Sequence, residues 1–213
     1  MSLRVNEIFY SIQGESSYAG LPCVFVRLTG CNLRCSYCDT RYAYDEGVEM
    51  PIREIVDAVS SHQCPLIEIT GGEPLLQKET PRLISRLLEK NLHVLLETNG
   101  SRDIGVVDSR CVKIVDMKCP SSGEHHQNDL DNLNRLTYKD EVKFVIGGRE
   151  DYDYAKEIIK RCIPRSGNPK HLSPVFGKTD PQTLARWILE DRLNVRLQLQ
   201  AHKVIWGPDK QGV

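Results

Sequence analysis

The sequence predicts an α/β fold built on a parallel sheet, and two observations carry that prediction. Short β-branched runs at 23–28, 65–70, 92–97, 112–116, 141–146, 171–175 and 195–200 alternate with amphipathic stretches. Strands that alternate with helical patterns in this way form βαβ units. The chemically unusual residues also fall immediately after those runs, where the loops of a parallel sheet project to one rim while helices cover the outside.

In chain order, the first strand Val24-Phe-Val-Arg-Leu-Thr-Gly30 runs directly into Cys31-Asn-Leu-Arg-Cys35-Ser-Tyr-Cys38. Ile52, Ile55, Val56 and Val59 mark the first helix by their 3.6-residue period. The second strand ends in Thr70-Gly71-Gly72-Glu73-Pro74, and Leu83, Ile84, Leu87 and Leu88 mark the next helix. The third strand leads to Thr98-Asn99-Gly100. The connection from 97 to 112 holds Gly100 and Gly105 with little apolar periodicity, so its helix is expected to be short or missing. Asp116 to Pro120 follows the fourth strand. Tyr154, Ile158 and Ile159 mark a helix after the fifth, and Pro164 to Pro169 reads as an exposed loop. Ser173-Pro174-Val175 closes the sixth strand, and Leu184, Trp187, Ile188 and Leu189 mark the last helix. The seventh run, Val195-Arg-Leu-Gln-Leu-Gln200, alternates with period 2 and carries Ala201-His202 to the same rim.

The chain has 213 residues, 40% of them hydrophobic, which is enough for one domain over 1–213 with a sizeable core. No apolar run of about 18 residues appears and the N-terminus lacks a signal pattern, so a cytoplasmic protein without a membrane partner is expected. A balance of 28 basic and 29 acidic residues leaves no electrostatic footprint for nucleic acid. Small-molecule or protein partners fit better.

Of eight cysteines, only Cys31, Cys35 and Cys38 show ligand-like spacing. Iron–sulfur clusters and structural zinc sites ordinarily take four protein ligands, so a triplet implies an open coordination position. Cys23, Cys64, Cys111 and Cys162 read as small buried hydrophobes rather than as a disulfide framework, which belongs to short secreted chains. His125 and His126 are adjacent, so they do not face one site on a regular element and read as solvent-exposed. Gly71-Gly72-Glu73-Pro74 is either a bland strand-to-helix turn or a place where a ligand lies against bare backbone; its position one βα unit after the triplet favours the second.

C-x3-C-x2-C after the first strand, with G-G-E-P after the second, resembles the radical S-adenosylmethionine superfamily. The resemblance implies a [4Fe–4S] cluster on Cys31, Cys35 and Cys38. The open iron would bind the amino and carboxylate groups of S-adenosylmethionine, and a cluster electron would cleave its sulfonium to a 5′-deoxyadenosyl radical. Asn6 to Ser16, Arg27, Cys38-Asp39-Thr40, Pro120-Ser121-Ser122-Gly123 and Gln200-Ala201-His202-Lys203 resemble, along nearly the whole chain, the 7-carboxy-7-deazaguanine synthase family. That family converts 6-carboxy-5,6,7,8-tetrahydropterin to 7-carboxy-7-deazaguanine with loss of ammonia, on the route to queuosine and related 7-deazapurines, and depends on Mg²⁺. With the strand count, the resemblance implies a partial, modified TIM-like (β/α)6 barrel with a reduced helical layer.

The same resemblance assigns Ile12, Gln13, Gly14, Glu15, Arg27, Thr70 and His202 to the pterin substrate, and Thr40 to Mg²⁺. It assigns Gly72, Glu73, Asp116, Met117, Lys118, Ser173, Pro174, Val175 and Phe176 to S-adenosylmethionine. Several alternatives stay open on the residues themselves. Gln13-Gly14-Glu15 is either an exposed turn or a set of amide and carboxylate partners for a pterin edge. Arg27, inside an apolar strand, pairs either with the substrate carboxylate or with an internal acid. Asp39 either caps the turn after the cysteine loop or orients a metal-bound water. His202 is either a structural hydrogen-bonder or a group that moves a proton. An external one-electron donor of flavodoxin type and a homodimer complete the expected partners; the short chain has few insertions to serve as a lid. Two rivals remain: a radical enzyme that activates a partner protein, and a non-enzymatic metal module completed by Cys119 or a His.

Overall fold

The computed structural model describes residues 1–162 and 167–213, and of Cys162 only the backbone. Nine strands form one sheet in the order β3-β1-β2-β4-β5-β6-β7-β8-β9. The strands are β1 Ser2–Ile12, β2 Pro22–Leu28, β3 Val48–Pro51, β4 Leu66–Gly71, β5 His93–Thr98, β6 Val112–Met117, β7 Glu141–Ile146, β8 Lys170–Pro174 and β9 Arg196–Leu197. From β2 to β9 every pairing is parallel. The helices are α1 Ile52–Ser61, α2 Thr80–Glu89, α3 Asn132–Arg135, α4 Arg149–Cys162, α5 Pro181–Glu190 and α6 Ala201–Ile205. Between β5 and β6 there is a single 3₁₀ turn at Ile104–Val106, as the glycines of that stretch led one to expect.

Alternation along the strands divides the sheet into two chemically different faces. Val24, Val26, Leu28, Ile67, Ile69, Val94 and Leu96 are buried with the apolar stripes of α1 and α2. Val115, Met117, Val142, Phe144 and Leu172 are buried with Tyr152, Ile158, Ile159, Leu184 and Ile188 of α4 and α5. Burying each such side chain stabilises the fold by about 1.5–3 kcal/mol, so this face holds the sheet together. The opposite face carries Phe25, Arg27, Glu68, Thr70, Glu97, Asp116, Lys143 and Val145, all of which line one cavity.

Two strands are missing from the sequence reading. β1 runs antiparallel to β2 and β3 antiparallel to β1. Leu3 and Val5 bury their side chains at the start of β1, but Asn6 and Glu7 interrupt the alternation that would have revealed it. In the other direction, the run at 195–200 keeps only two strand residues, and His202 lies in α6. Gln198 N still donates to Leu172 O at 3.0 Å, but beyond that point the segment bonds to a loop instead of to β8. Leu189, expected on the buried face of α5, is 75% exposed because it is turned one residue past Ile188. Of the loop expected over 164–169, residues 164–166 lie outside the described residues; Asn168 is buried and donates to Thr137 O and Asp140 O, each at 2.6 Å.

Candidate active site

A cavity of about 680 Å³ opens at the carboxyl rim of the parallel strands, within the size range of small-molecule sites. Cys31, Cys35 and Cys38 all line it. Leu33 N donates to Cys31 Sγ at 3.4 Å and Asn99 Nδ2 approaches the same sulfur at 3.9 Å, so two donors face this sulfur. Burial pushes the Cys35 thiol up to about 11, against the pull of Lys118. Among the described residues, no three His, Cys, Asp or Glu side chains converge on a single ion. A mononuclear zinc site needs that convergence, whereas cluster ligands bind separate irons and need only line the same space.

The G-G-E-P turn is stitched to the cysteine loop. Gly72 N donates to Leu28 O at 3.2 Å and Glu73 N to Gly30 O at 2.7 Å. A Cβ on Gly72 would stand 2.3 Å from Gly30 O and 2.7 Å from Cys31 Cβ, so only glycine permits this approach. Glu73, expected to contact the cofactor, lies off the cavity and is fully buried. Its carboxylate accepts from Asn99 N at 2.7 Å, Leu75 N at 2.9 Å and Thr98 Oγ1 at 2.9 and 3.0 Å, locking the ends of β4 and β5 together.

Asp116 and Lys118 line the cavity as an ion pair of 2.8 Å. Met117 between them packs in the core on the helix side, because adjacent strand residues face opposite ways. Ser173 and Pro174 are buried off the cavity as well, while Val175 and Phe176 line it. The Tyr37 hydroxyl and Asp116 Oδ1 are buried with no hydrogen-bond partner among the described residues, and both residues line the cavity. Unpartnered polar atoms around an enclosed space are the signature of a site built for a polar ligand.

Ile12, Gln13, Gly14, Glu15, Arg27, Thr40, Thr70 and His202 all line the same cavity. Arg27 Nε donates to Glu7 Oε1 at 2.7 Å, so the internal acid is present. This bond occupies one edge of the guanidinium; among the described residues its terminal nitrogens make no hydrogen bond. Thr40 Oγ1 donates to Asp39 Oδ1 at 2.8 Å, and Asp39 Oδ2 pairs with Lys203 at 2.5 Å. Burial raises the Asp39 carboxyl, but Lys203 outweighs it and holds the group well below the usual carboxylate range. Burial holds the His202 imidazole below its ordinary pKa, which leaves it neutral at pH 7. The ring closes over Gly14, where a Cβ would stand 2.2 Å from Nδ1.

Lys143, Glu68 and Glu97 were not anticipated, yet they form the floor. Lys143 Nζ pairs with Glu97 Oε1 at 2.9 Å and with Glu15, and Gln13 Nε2 donates to Glu68. Burial lowers Lys143, but Glu15, Glu97 and Asp116 together carry it well above the ordinary lysine range. Burial, with Glu97 and Glu15 adding repulsion, raises Glu68 well above its usual value. A charged residue in phase with the cavity face of an apolar strand was the available signal: Glu68, Glu97 and Lys143 each interrupt such a run.

Comparison with known proteins agrees with this geometry. Residues 25–182 match the model of the radical SAM superfamily. The chain is 46% identical over 227 residues to the 7-carboxy-7-deazaguanine synthase of Koribacter versatilis, covering 99% of this chain and 100% of that one. The chain belongs to the 7-carboxy-7-deazaguanine synthase family of the radical SAM superfamily. The Chlorobaculum tepidum member is also 46% identical, over 99% of this chain and 97% of that protein. The crystal structure of QueE from Escherichia coli superposes with a TM-score of 0.80 at 22% identity over 95% of each chain, which establishes the shared partial-barrel fold. Membership in this superfamily implies a [4Fe–4S] cluster and S-adenosylmethionine, and the three thiols on one cavity are a donor set that fits them. Cys119, the remote ligand of the zinc alternative, is fully buried in the core behind the sheet. Cys23, Cys64 and Cys111 are buried too, Cys162 has no described side chain, and His126 is exposed beside a half-buried His125. No helix among the described residues is long and apolar enough to cross a membrane.

Proposed function

We propose that this chain, as one radical SAM domain over 1–213, converts 6-carboxy-5,6,7,8-tetrahydropterin to 7-carboxy-7-deazaguanine with loss of ammonia, in the cytoplasmic synthesis of queuosine and related 7-deazapurines. The observation that carries the reading is the meeting, in one cavity, of the cysteine triplet with Gln13, Gly14, Glu15, Arg27 and Thr70 in a chain of this family. Cys31, Cys35 and Cys38 would hold the cluster, and Gly72, Asp116, Lys118, Val175 and Phe176 would contact S-adenosylmethionine. When bound, the cluster and S-adenosylmethionine supply the electron and the radical that abstracts hydrogen from the pterin.

The protein's own groups bind, orient and shield. Arg27, held by Glu7 through Nε, presents its remaining N–H groups to the substrate carboxylate as a planar fork. Gln13 and Glu15 offer an amide and a carboxylate to the donor and acceptor edge of the pterin. Burial raises the Glu15 carboxyl, but the Lys143 ammonium beside it outweighs that and keeps the group ionised. The neutral His202 ring can accept a proton at the cavity wall and, as imidazolium, return it to an amine that leaves as ammonia. Thr40 would contact Mg²⁺, since hard oxygen ligands suit that ion, and Asp39, paired with Lys203, would orient its water. An external one-electron donor of flavodoxin type and a homodimer complete the system.

The test is anaerobic turnover of reduced, reconstituted enzyme with S-adenosylmethionine, Mg²⁺ and the pterin. The deazapurine is expected, at a rate that falls when Mg²⁺ is chelated. Cleavage of S-adenosylmethionine without any deazapurine would leave a radical enzyme of another substrate.

A further inference from the structure

The residues proposed to read the pterin, Gln13, Gly14 and Glu15, sit on the loop between β1 and β2, and a loop sets geometry only when its neighbours hold it. Segment 196–201 does so almost residue by residue. Ala201 N donates to Gly14 O at 3.0 Å and Gln200 Nε2 to Glu15 Oε1 at 2.9 Å. Gln198 takes both main-chain groups of Ser16: Ser16 N donates to Gln198 Oε1 and Gln198 Nε2 donates to Ser16 O, each at 2.8 Å. Arg196 Nη1 donates to Ser17 Oγ at 2.7 Å. Residues 196, 198 and 200, alternate positions of the segment, thus all spend their side chains on the loop.

Ser16 is the informative member. Its φ is +63°, left-handed backbone that a side-chain-bearing residue adopts only under constraint. Ser16 is 5% exposed and Gln198 9%, so water cannot readily replace either bond. Neither residue lines the cavity. A primary amide is the side chain that can both accept from an N–H and donate to a C=O; a carboxylate does only the first and a leucine neither.

We propose that Gln198 is a positioning residue: its amide holds Ser16 in the left-handed turn and thereby aims Gln13-Gly14-Glu15 at the substrate. The inference deepens the pterin reading and rests on it. Substituting Gln198→Leu should speed amide hydrogen exchange across 14–17 and raise the pterin KM about tenfold or more, with a smaller fall in kcat. Iron content and S-adenosylmethionine affinity should stay at wild-type values. Adding Ser16→Gly, which makes the left-handed turn easy without the clamp, should recover most of the lost KM. Gln198→Met removes the amide while keeping an unbranched side chain of similar length and burying no charge, and it should raise KM alike, so it decides the matter if the leucine variant does not fold. Faster exchange with an unchanged KM would reduce the clamp to a structural tie and overturn the proposal. So would an equal loss of iron or S-adenosylmethionine binding, or no recovery with glycine at 16. Failure of the pterin reading appears in the wild-type control, whereas failure of this inference appears only in the ratio of variant to wild type.

Discussion

Arg27 shows how one side chain can satisfy two readings that looked exclusive. Its Nε meets the internal acid Glu7 at 2.7 Å, and Phe9 and Tyr42 lie with their ring centres each 5.8 Å from the guanidinium carbon. That setting fixes the planar group in place, which a compact ammonium cannot reproduce. Arg27→Lys should therefore raise the pterin KM about tenfold or more while iron content stays constant; equal loss of both, measured by steady-state kinetics beside iron analysis, would contradict the assignment. Other residues were legible only in part. The pair Asp116 and Met117 could have been separated by strand alternation alone, since one of two neighbours must face the helices. Glu73 could not: a glutamate in a G-G-E-P turn reads the same whether it meets a ligand or the amides of Leu75 and Asn99.

At the scale of elements, the sheet works because its two faces obey different rules. The helix-covered face is apolar apart from Lys113, buried against Asp140 at 3.1 Å, and was readable from periodicity, whereas the cavity face mixes Glu68, Glu97, Asp116 and Lys143 into strands that look merely interrupted. Packing acids together has a measurable consequence. Glu68 has its folded pKa raised above the unfolded value, so the folded state binds the proton more tightly and stability is lost as pH rises above the ordinary carboxylate range. Glu68→Gln removes that ionisation while keeping an acceptor for Gln13. In urea titrations of the apo protein, the variant should gain stability relative to wild type at pH 8, and the gain should shrink toward pH 5. A difference independent of pH would show that Glu68 is ionised throughout.

For the whole molecule, the decisive prediction concerns which cysteines serve the cavity. Cys35→Ser should abolish iron–sulfur assembly and S-adenosylmethionine cleavage, whereas Cys119→Ser, behind the sheet, should retain both, as read from iron content, the cluster absorbance and 5′-deoxyadenosine release. Loss of metal in the Cys119 variant would restore the zinc-module reading. The parallel α/β class, the rim as the site and the open position of a three-cysteine cluster followed from the sequence itself, because strand period, loop placement and ligand count are local quantities. The added antiparallel strands β1 and β3, the buried floor of Lys143 and its acids, and the clamp of Gln198 on Ser16 depend on contacts between residues far apart in the chain. The clamp joins residues 182 positions apart. Nothing in the spacing of either partner announces the other, so only the closed tertiary structure could reveal what holds the substrate loop.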